Sequence, residues 1–461
     1  MPNVPIRLPA ALRRGDLAIL FLIALALRVM MFAASYAQVG TDGVFDKCFD
    51  CKMYYIMGQA IASGDQTRAE FGFFNYGPGY GYFMALNVWL VGARPVMIII
   101  INIIFSSLSC LLIYSLAMRL IRSYAVAMVA GGLLALSYTS ILLSCCTLSD
   151  TFFFFLFLSA LLVYLRALDS GSWVMFVLAG LLTGASVLTR SVGQFWFLMM
   201  IVLAAPFAWR RDDRSLTHRF RRRELAIKVG AAVLIIFVMM GAWMARNYRV
   251  HGVATLAITS ANGPANLVAI TMERLTGKGS NEVLGQWVQE YQKATGKTEI
   301  SLGELFRLYA GKARAGIDSL GGKMYATYFS VVWENLNEIN YFHRILIPHQ
   351  DGFTIPIERK IKATGGNYLN FILSLGGLVI LLWRRRFGAA IALGGIYLYF
   401  ASMIGFFRWA GSRYFFPGQI AAVILIAVVL VWAGSSIAKL VRRLLTHRMP
   451  IRPIEPPADN L

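Results

Sequence analysis

Apolar residues run along this chain in long blocks, with the polar ones gathered between them. Ten blocks stand out, near 17–38, 96–118, 124–143, 150–167, 173–189, 192–209, 229–245, 367–383, 388–407 and 414–438. Each approaches the roughly twenty residues that a helix needs to cross a bilayer. In hydrocarbon the backbone must satisfy its own hydrogen bonds, so each block is expected to be a helix. The pattern therefore predicts an all-α polytopic membrane protein with about 10 transmembrane helices. The first block is a full span without a small-residue cleavage site behind a short core, so it is expected to stay in the membrane.

Two intervals are too long to be simple connections, 40–94 and 246–366. Within the second, Asn281–Ala294 and Leu302–Leu336 carry amphipathic patterns that predict helices, punctuated by Gly277, Gly279 and Gly296. The expected organisation is an N-terminal bundle over 1–245 with a helical first outer loop at 40–94. A small, mainly helical extracytoplasmic domain follows over 246–366, then C-terminal spans and a tail over 367–461. Loops of this size are where function concentrates.

With 58% apolar and 15% charged residues in 461, a soluble globular chain is excluded. A net charge of +21 would suggest nucleic acid in a soluble protein, but here the basic residues mark topology. On one set of alternating segments, which includes both termini, there are 22 Lys and Arg; the opposite loops, apart from the long one, hold 7. The positive-inside rule then places both termini in the cytoplasm. Accordingly the cluster Arg219–Arg223 is expected to be a cytoplasmic anchor, and no nucleic-acid partner is expected.

Chemistry is expected on the outer side. Asp46 and Asp50 stand just beyond the first block, within Asp46-Lys-Cys48-Phe-Asp50-Cys51-Lys-Met-Tyr54-Tyr55. From Asp50 a helix-like stretch runs to Ser63-Gly64, and Tyr76-Gly-Pro78-Gly-Tyr80 turns the chain back. This suits a carboxylate carried on a helix lying along the membrane surface. Asp150 opens the fourth block, as a helix cap, a second working carboxylate, or both. Arg190, Arg246, Arg249, Arg408 and Arg413 all fall at outer ends of blocks. Each either snorkels to the interface or meets an anion. Arg28, midway along the first block, is expected to be a buried partner for another span. Cys48 and Cys51 bracket Asp50, as a disulfide or as free thiols, whereas Cys145-Cys146 lacks zinc-ligand spacing. No cofactor is required; a divalent metal is left open, with His251, His343 and His349 and Glu334 or Glu338 as conceivable ligands.

Taken together, the Asp50-x3-Tyr54 run closing in Ser63-Gly-Asp, the Pro-Gly-Tyr turn, Trp243-Met-Ala-Arg246-Asn247-Tyr248-Arg-Val-His251-Gly252 and Ser260-Ala-Asn-Gly263 resemble the C-type membrane glycosyltransferases. The resemblance is to the family 39 group, which includes protein O-mannosyltransferases and the transferases that add aminoarabinose to lipid A. It implies a multi-pass protein of a bacterial inner membrane, its site facing the periplasm. The implied donor is a sugar on polyprenyl phosphate, and the acceptor a glycan, lipid or protein. In that family an Asp of the first outer loop is the base, a role the spacing assigns to Asp50, with Asp46 as the alternative. Here Cys51 follows Asp50, where many relatives carry a second acidic residue. For the leaving phosphate the expected ligands are Arg246 and Arg413, then Arg190 and Arg408, with Asn247 beside Arg246. Tyr54, Tyr55, Tyr76 and Tyr80 are expected to stack on sugar or acceptor. The same layout suits an oligosaccharide ligase or polymerase. It also suits a transporter or flippase of a lipid-linked sugar, although transporters place ionisable residues near the midplane, where only Arg28 lies.

Overall fold

The computed structural model describes residues 10–46, 49–209, 222–337, 366–406, 413 and 415–448, and every regular element among them is helical. Six helical segments are long and apolar enough to cross a membrane: Gly15–Ala37, Pro95–Ile121, Ser149–Ser170, Arg222–His251, Phe387–Phe406 and Phe416–Val441. Tyr124–Ala135 and Tyr138–Ser144, bent by 53°, make a seventh if the pair is one span. The other three expected blocks coincide with shorter apolar helices, Trp173–Thr189, Ser191–Ala205 and Leu369–Trp383.

In chain order, α1 (Ala10–Asp46) bends at Gly40, where φ is 63°. The described residues of the interval 40–94 beyond α1 form three helices, α2 (Phe49–Ser63), α3 (Gln66–Tyr76) and α4 (Pro78–Val91). Their corners follow from local chemistry. Gly64 takes a positive φ after α2, and Asp65 caps α3 by accepting from the Arg68 N–H at 3.0 Å. Gly77, at φ 84°, closes α3 and hands the chain to Pro78 at the first position of α4, where a missing N–H costs nothing.

The bundle continues through α5 (Pro95–Ile121), α6 (Tyr124–Ala135), α7 (Tyr138–Ser144), α8 (Ser149–Ser170), α9 (Trp173–Thr189), α10 (Trp196–Trp209) and α11 (Arg222–His251). Arg28 is fully buried among them, as expected, and ties the break between α6 and α7. Its Nε donates to Ser106 at 2.7 Å, Nη2 to Ser140 at 2.8 Å, and Nη1 to the carbonyls of Ala24 at 2.9 Å and Ala135 at 3.3 Å. The last of these is a carbonyl that a helix end leaves without an intrahelical partner.

The second long interval begins with α12 (Thr259–Thr276), a helix the sequence reading did not anticipate, and α13 (Ser280–Thr295). The expected single helix over Leu302–Leu336 is two, α14 (Leu302–Leu320) and α15 (Gly322–Asn337), broken at Gly321 with φ 47°. After the interval come α16 (Gly366–Trp383), α17 (Phe387–Met403) and α18 (Gln419–Arg448). The Arg219–Arg221 stretch, Glu338, His343, His349 and Arg408 lie outside the described residues.

Candidate active site

Asp50 sits in the first turn of α2 and Asp150 in the first turn of α8. Arg190 follows α9 directly, and Arg413 precedes the short helix that leads into α18. These ends lie together at one end of the bundle, and the four side chains interlock. Arg413 donates from Nη1 to Asp50 Oδ2 at 2.6 Å and from Nε to Asp150 Oδ2 at 2.7 Å. Arg190 Nη1 stands 2.5 Å from Asp150 Oδ1. Tyr76 donates its hydroxyl to Asp50 Oδ1 at 2.9 Å. The result is a chain of alternating sign, Asp50–Arg413–Asp150–Arg190, neutral overall. Asp150, Arg190 and Arg413 are buried at 2, 9 and 7% exposure, tolerable for charges only because each is paired. Asp150 is not the helix cap that was one expectation for it: Leu148 holds the cap position of α8 without a side-chain bond, and both Asp150 oxygens are engaged by guanidinium groups.

Tyr54 lies behind Asp50. Its hydroxyl is 3.0 Å from the Ser149 hydroxyl, and its ring meets Tyr76 at 4.7 Å and Tyr80 edge-on at 4.8 Å. Tyr80 is fully buried, accepting from Asn102 Nδ2 at 3.4 Å, so it supports this cluster from behind. Tyr55 points elsewhere, donating to the Ala93 carbonyl at 2.8 Å. Burial pushes the Asp50 carboxyl up, but the charge and hydrogen bond of Arg413, with Tyr76, outweigh it and hold the group below the usual range. Burial raises Tyr54 to about 12, and burial with the Asp50 charge raises Tyr76, so both remain neutral donors.

Asp50, Tyr54, Tyr76, Arg190 and Arg413 line a cavity of about 380 Å³, joined by Thr259 and Ser260 from the start of α12. A second cavity, about 720 Å³, adjoins it and shares Gln194, Ser260 and Pro264. Its wall is largely apolar, with Phe237, Met240 and Met244 of α11 facing Phe306 and Ile317 of α14.

Arg246 is not part of this constellation. Its guanidinium grips both oxygens of Glu70 on α3, flanked by the rings of Trp243 and Phe73 at 4.9 and 5.3 Å. His251 Nε2 is 2.6 Å from the same carboxylate. Asn247 is buried, donating to the Thr255 carbonyl at 2.7 Å, and so braces the turn before α12. Thus the Arg246-Asn247 motif joins the interval 40–94 to the interval 246–366. Glu70 was missed in the sequence because nothing around it marks a carboxylate whose partner stands 176 positions away. The side chain of Asp46 lies outside the described residues. Cys51 is disulfide-bonded, while Cys110, Cys145 and Cys146 are buried free thiols. Among the described residues no three His, Cys, Asp or Glu side chains cluster as metal ligands do.

Residues 75–246 match the family described as dolichyl-phosphate-mannose-protein mannosyltransferase. The matched stretch contains Tyr76, Asp150 and Arg190 and stops short of Asp50 and Arg413. The family matched over this stretch is of the class that the motifs resemble, the C-type membrane glycosyltransferases. No curated protein matches the chain. Among solved structures the chain is similar to the oligosaccharyltransferase AglB of Archaeoglobus fulgidus in complex with an inhibitory peptide and a dolichol-phosphate. That similarity is at 16% identity and TM-score 0.48, covering 95% of this chain and 52% of that one. It is likewise similar to an Archaeoglobus fulgidus oligosaccharyltransferase structure tethered to an acceptor peptide, at 16% identity and TM-score 0.49, covering 96% and 52%. The chain therefore spans about half the length of these structures.

Proposed function

We propose that the protein is a glycosyltransferase that moves one sugar from a polyprenyl-phosphate carrier to an acceptor hydroxyl or phosphate. The site faces the periplasm of a bacterial inner membrane. The observation that carries this reading is the ion-paired Asp50 in the wall of the 380 Å³ cavity, with Arg413 and Arg190 beside it. In the reaction an acceptor oxygen attacks the anomeric carbon as the bond from that carbon to the phosphate oxygen breaks. Polyprenyl phosphate departs with the bonding electrons, and Asp50 takes the acceptor proton. General-base help of this kind contributes about 10²–10⁴-fold.

Asp50 paired to Arg413 is a weak base, and the donor cures this. A phosphate drawing on the Arg413 guanidinium weakens the pair, and burial then raises the affinity of Asp50 for a proton. Asp150, held between both arginines, keeps the two guanidinium groups aimed at one place. The adjoining apolar cavity suits the first isoprene units of the carrier. Arg246, bound to Glu70, braces the two outer regions in this reading instead of holding phosphate.

The test is to give purified protein in nanodiscs a mixed pool of polyprenyl-phosphate sugars with membrane acceptors, and to read released polyprenyl phosphate by mass spectrometry. Release is expected. Movement of intact lipid-linked sugar between leaflets without release would overturn the reading in favour of a transporter.

A further inference from the structure

Helix α15 carries a face that the site does not use. Tyr325, Phe329 and Trp333, spaced four apart, form one stripe along it, and they are 69, 67 and 47% exposed. Three large aromatic rings in a row are an unusual surface to leave in water. The opposite face is fixed at a known place. Asn335 Nδ2 donates to the carbonyl of Ile404 at 2.7 Å, and the Tyr328 hydroxyl donates to the Ser402 carbonyl. Those carbonyls close the span Phe387–Phe406 at the end where Met403 and Phe406 line the cavity. Hence α15 lies at the depth where the apolar span stops.

The stripe is also continuous with a lipid-facing surface. The Trp333 ring meets Phe371 of α16 at 5.9 Å. Helix α16 in turn exposes Leu369, Ile372, Leu375 and Val379, an unbroken apolar row along an apolar helix. A row of that kind has hydrocarbon as its natural neighbour. Rings of Tyr and Trp favour the headgroup level, their bodies in the acyl region and their polar atoms in water.

We propose that α15 is an interfacial anchor. Tyr325, Phe329 and Trp333 sit in the headgroup–acyl boundary of the leaflet on the cavity side, and their partner is the phospholipid surface itself. Lys323, exposed one turn or less from the stripe, adds a cation suited to anionic headgroups. The anchor holds the α12–α15 unit at fixed height, and with it the start of α12, whose Thr259 and Ser260 line the cavity.

The experiment places p-benzoylphenylalanine at Phe329 in the full chain, reconstituted in nanodiscs of phosphatidylethanolamine and phosphatidylglycerol, and irradiates it. Mass spectrometry should find phospholipid adducts at 329 at several times the level seen when the probe stands at Lys293, exposed on α13. Equal or absent lipid adducts at the two positions would overturn the proposal, as would cross-links from 329 to a second copy of the chain. Should the 329 variant fail to express, the probe at Tyr325 gives the same contrast.

Discussion

Arg413 Nη1 lies 2.6 Å from Asp50 Oδ2, joining side chains 363 positions apart. The same guanidinium reaches Asp150 through Nε at 2.7 Å, so one planar group bridges two carboxylates. An ammonium group is a single point charge and cannot hold that geometry. We expect Arg413→Lys to lower kcat/KM by about 10–100-fold, since each charge-assisted bond contributes about 1.5–3 kcal/mol. Steady-state release of polyprenyl phosphate checks this; near-normal turnover would mean that charge alone suffices.

Asp150 answers two buried arginines, so its removal leaves both without their shared counter-charge. Truncating one partner of a buried pair costs about 3–5 kcal/mol. Asp150→Ala is therefore expected to unfold at markedly lower temperature in detergent, whereas Asp150→Asn, which keeps oxygen acceptor capacity, should lose less. Equal melting of the two variants would show that hydrogen bonding at this position contributes little.

The pH profile has a definite sign. In the folded protein the Asp50 carboxyl lies below its ordinary value of 3.8, because Arg413 outweighs burial. As pH falls the group therefore stays ionised past 3.8, and the stability its pairing contributes, full above 3.8, declines from there and is gone once pH has passed the lower folded value. The acid limb of kcat/KM, which reports the free enzyme, should accordingly fall below 3.8 where Asp50 sets it. In Arg413→Gln burial remains and the opposing charge is gone, so that limb should move upward. An unmoved limb would assign it to another group.

Gly79 tests how closely α4 must approach the Arg190 corner. A Cβ there would stand 2.6 Å from the Thr189 N atom and 2.7 Å from its hydroxyl, and Thr189 immediately precedes Arg190. Backbone cannot yield as a flexible side chain can, so Gly79→Ala is expected to cost about 1–3 kcal/mol and to reduce transfer. Gly132→Ala, with nothing within 4 Å, is the matching control and should leave both unchanged. Thermal unfolding of the pair in one detergent separates the two outcomes.

Much of this was written in the sequence at short range. The apolar blocks are helices because hydropathy over twenty residues is a local property, and Gly77-Pro78 ends one helix and starts another through backbone chemistry alone. Asp50, Asp150, Arg190 and Arg413 all stand at ends of apolar blocks that the alternation of spans puts on one side. Which arginine pairs with which carboxylate was not legible, because partners such as Asp50 and Arg413 meet only through the packing of the whole bundle. That is why Arg246 was expected at the phosphate and is found on Glu70. The split of 302–336 at Gly321 was hidden by an apolar rhythm that continues across it, and α12 by a Gly263-Pro264 pair that resembles a turn.

In the proposed reaction Asp50 takes the acceptor proton. Asp50→Asn preserves the volume and accepts from Tyr76, but it can neither pair ionically with Arg413 nor hold a proton. The direct measurement is a single-turnover comparison of wild type and Asp50→Asn in nanodiscs, with donor binding measured alongside. Expected are donor binding within a few-fold of wild type and transfer reduced by at least about 10²-fold. Transfer at a wild-type rate in the variant would take the base role away from Asp50.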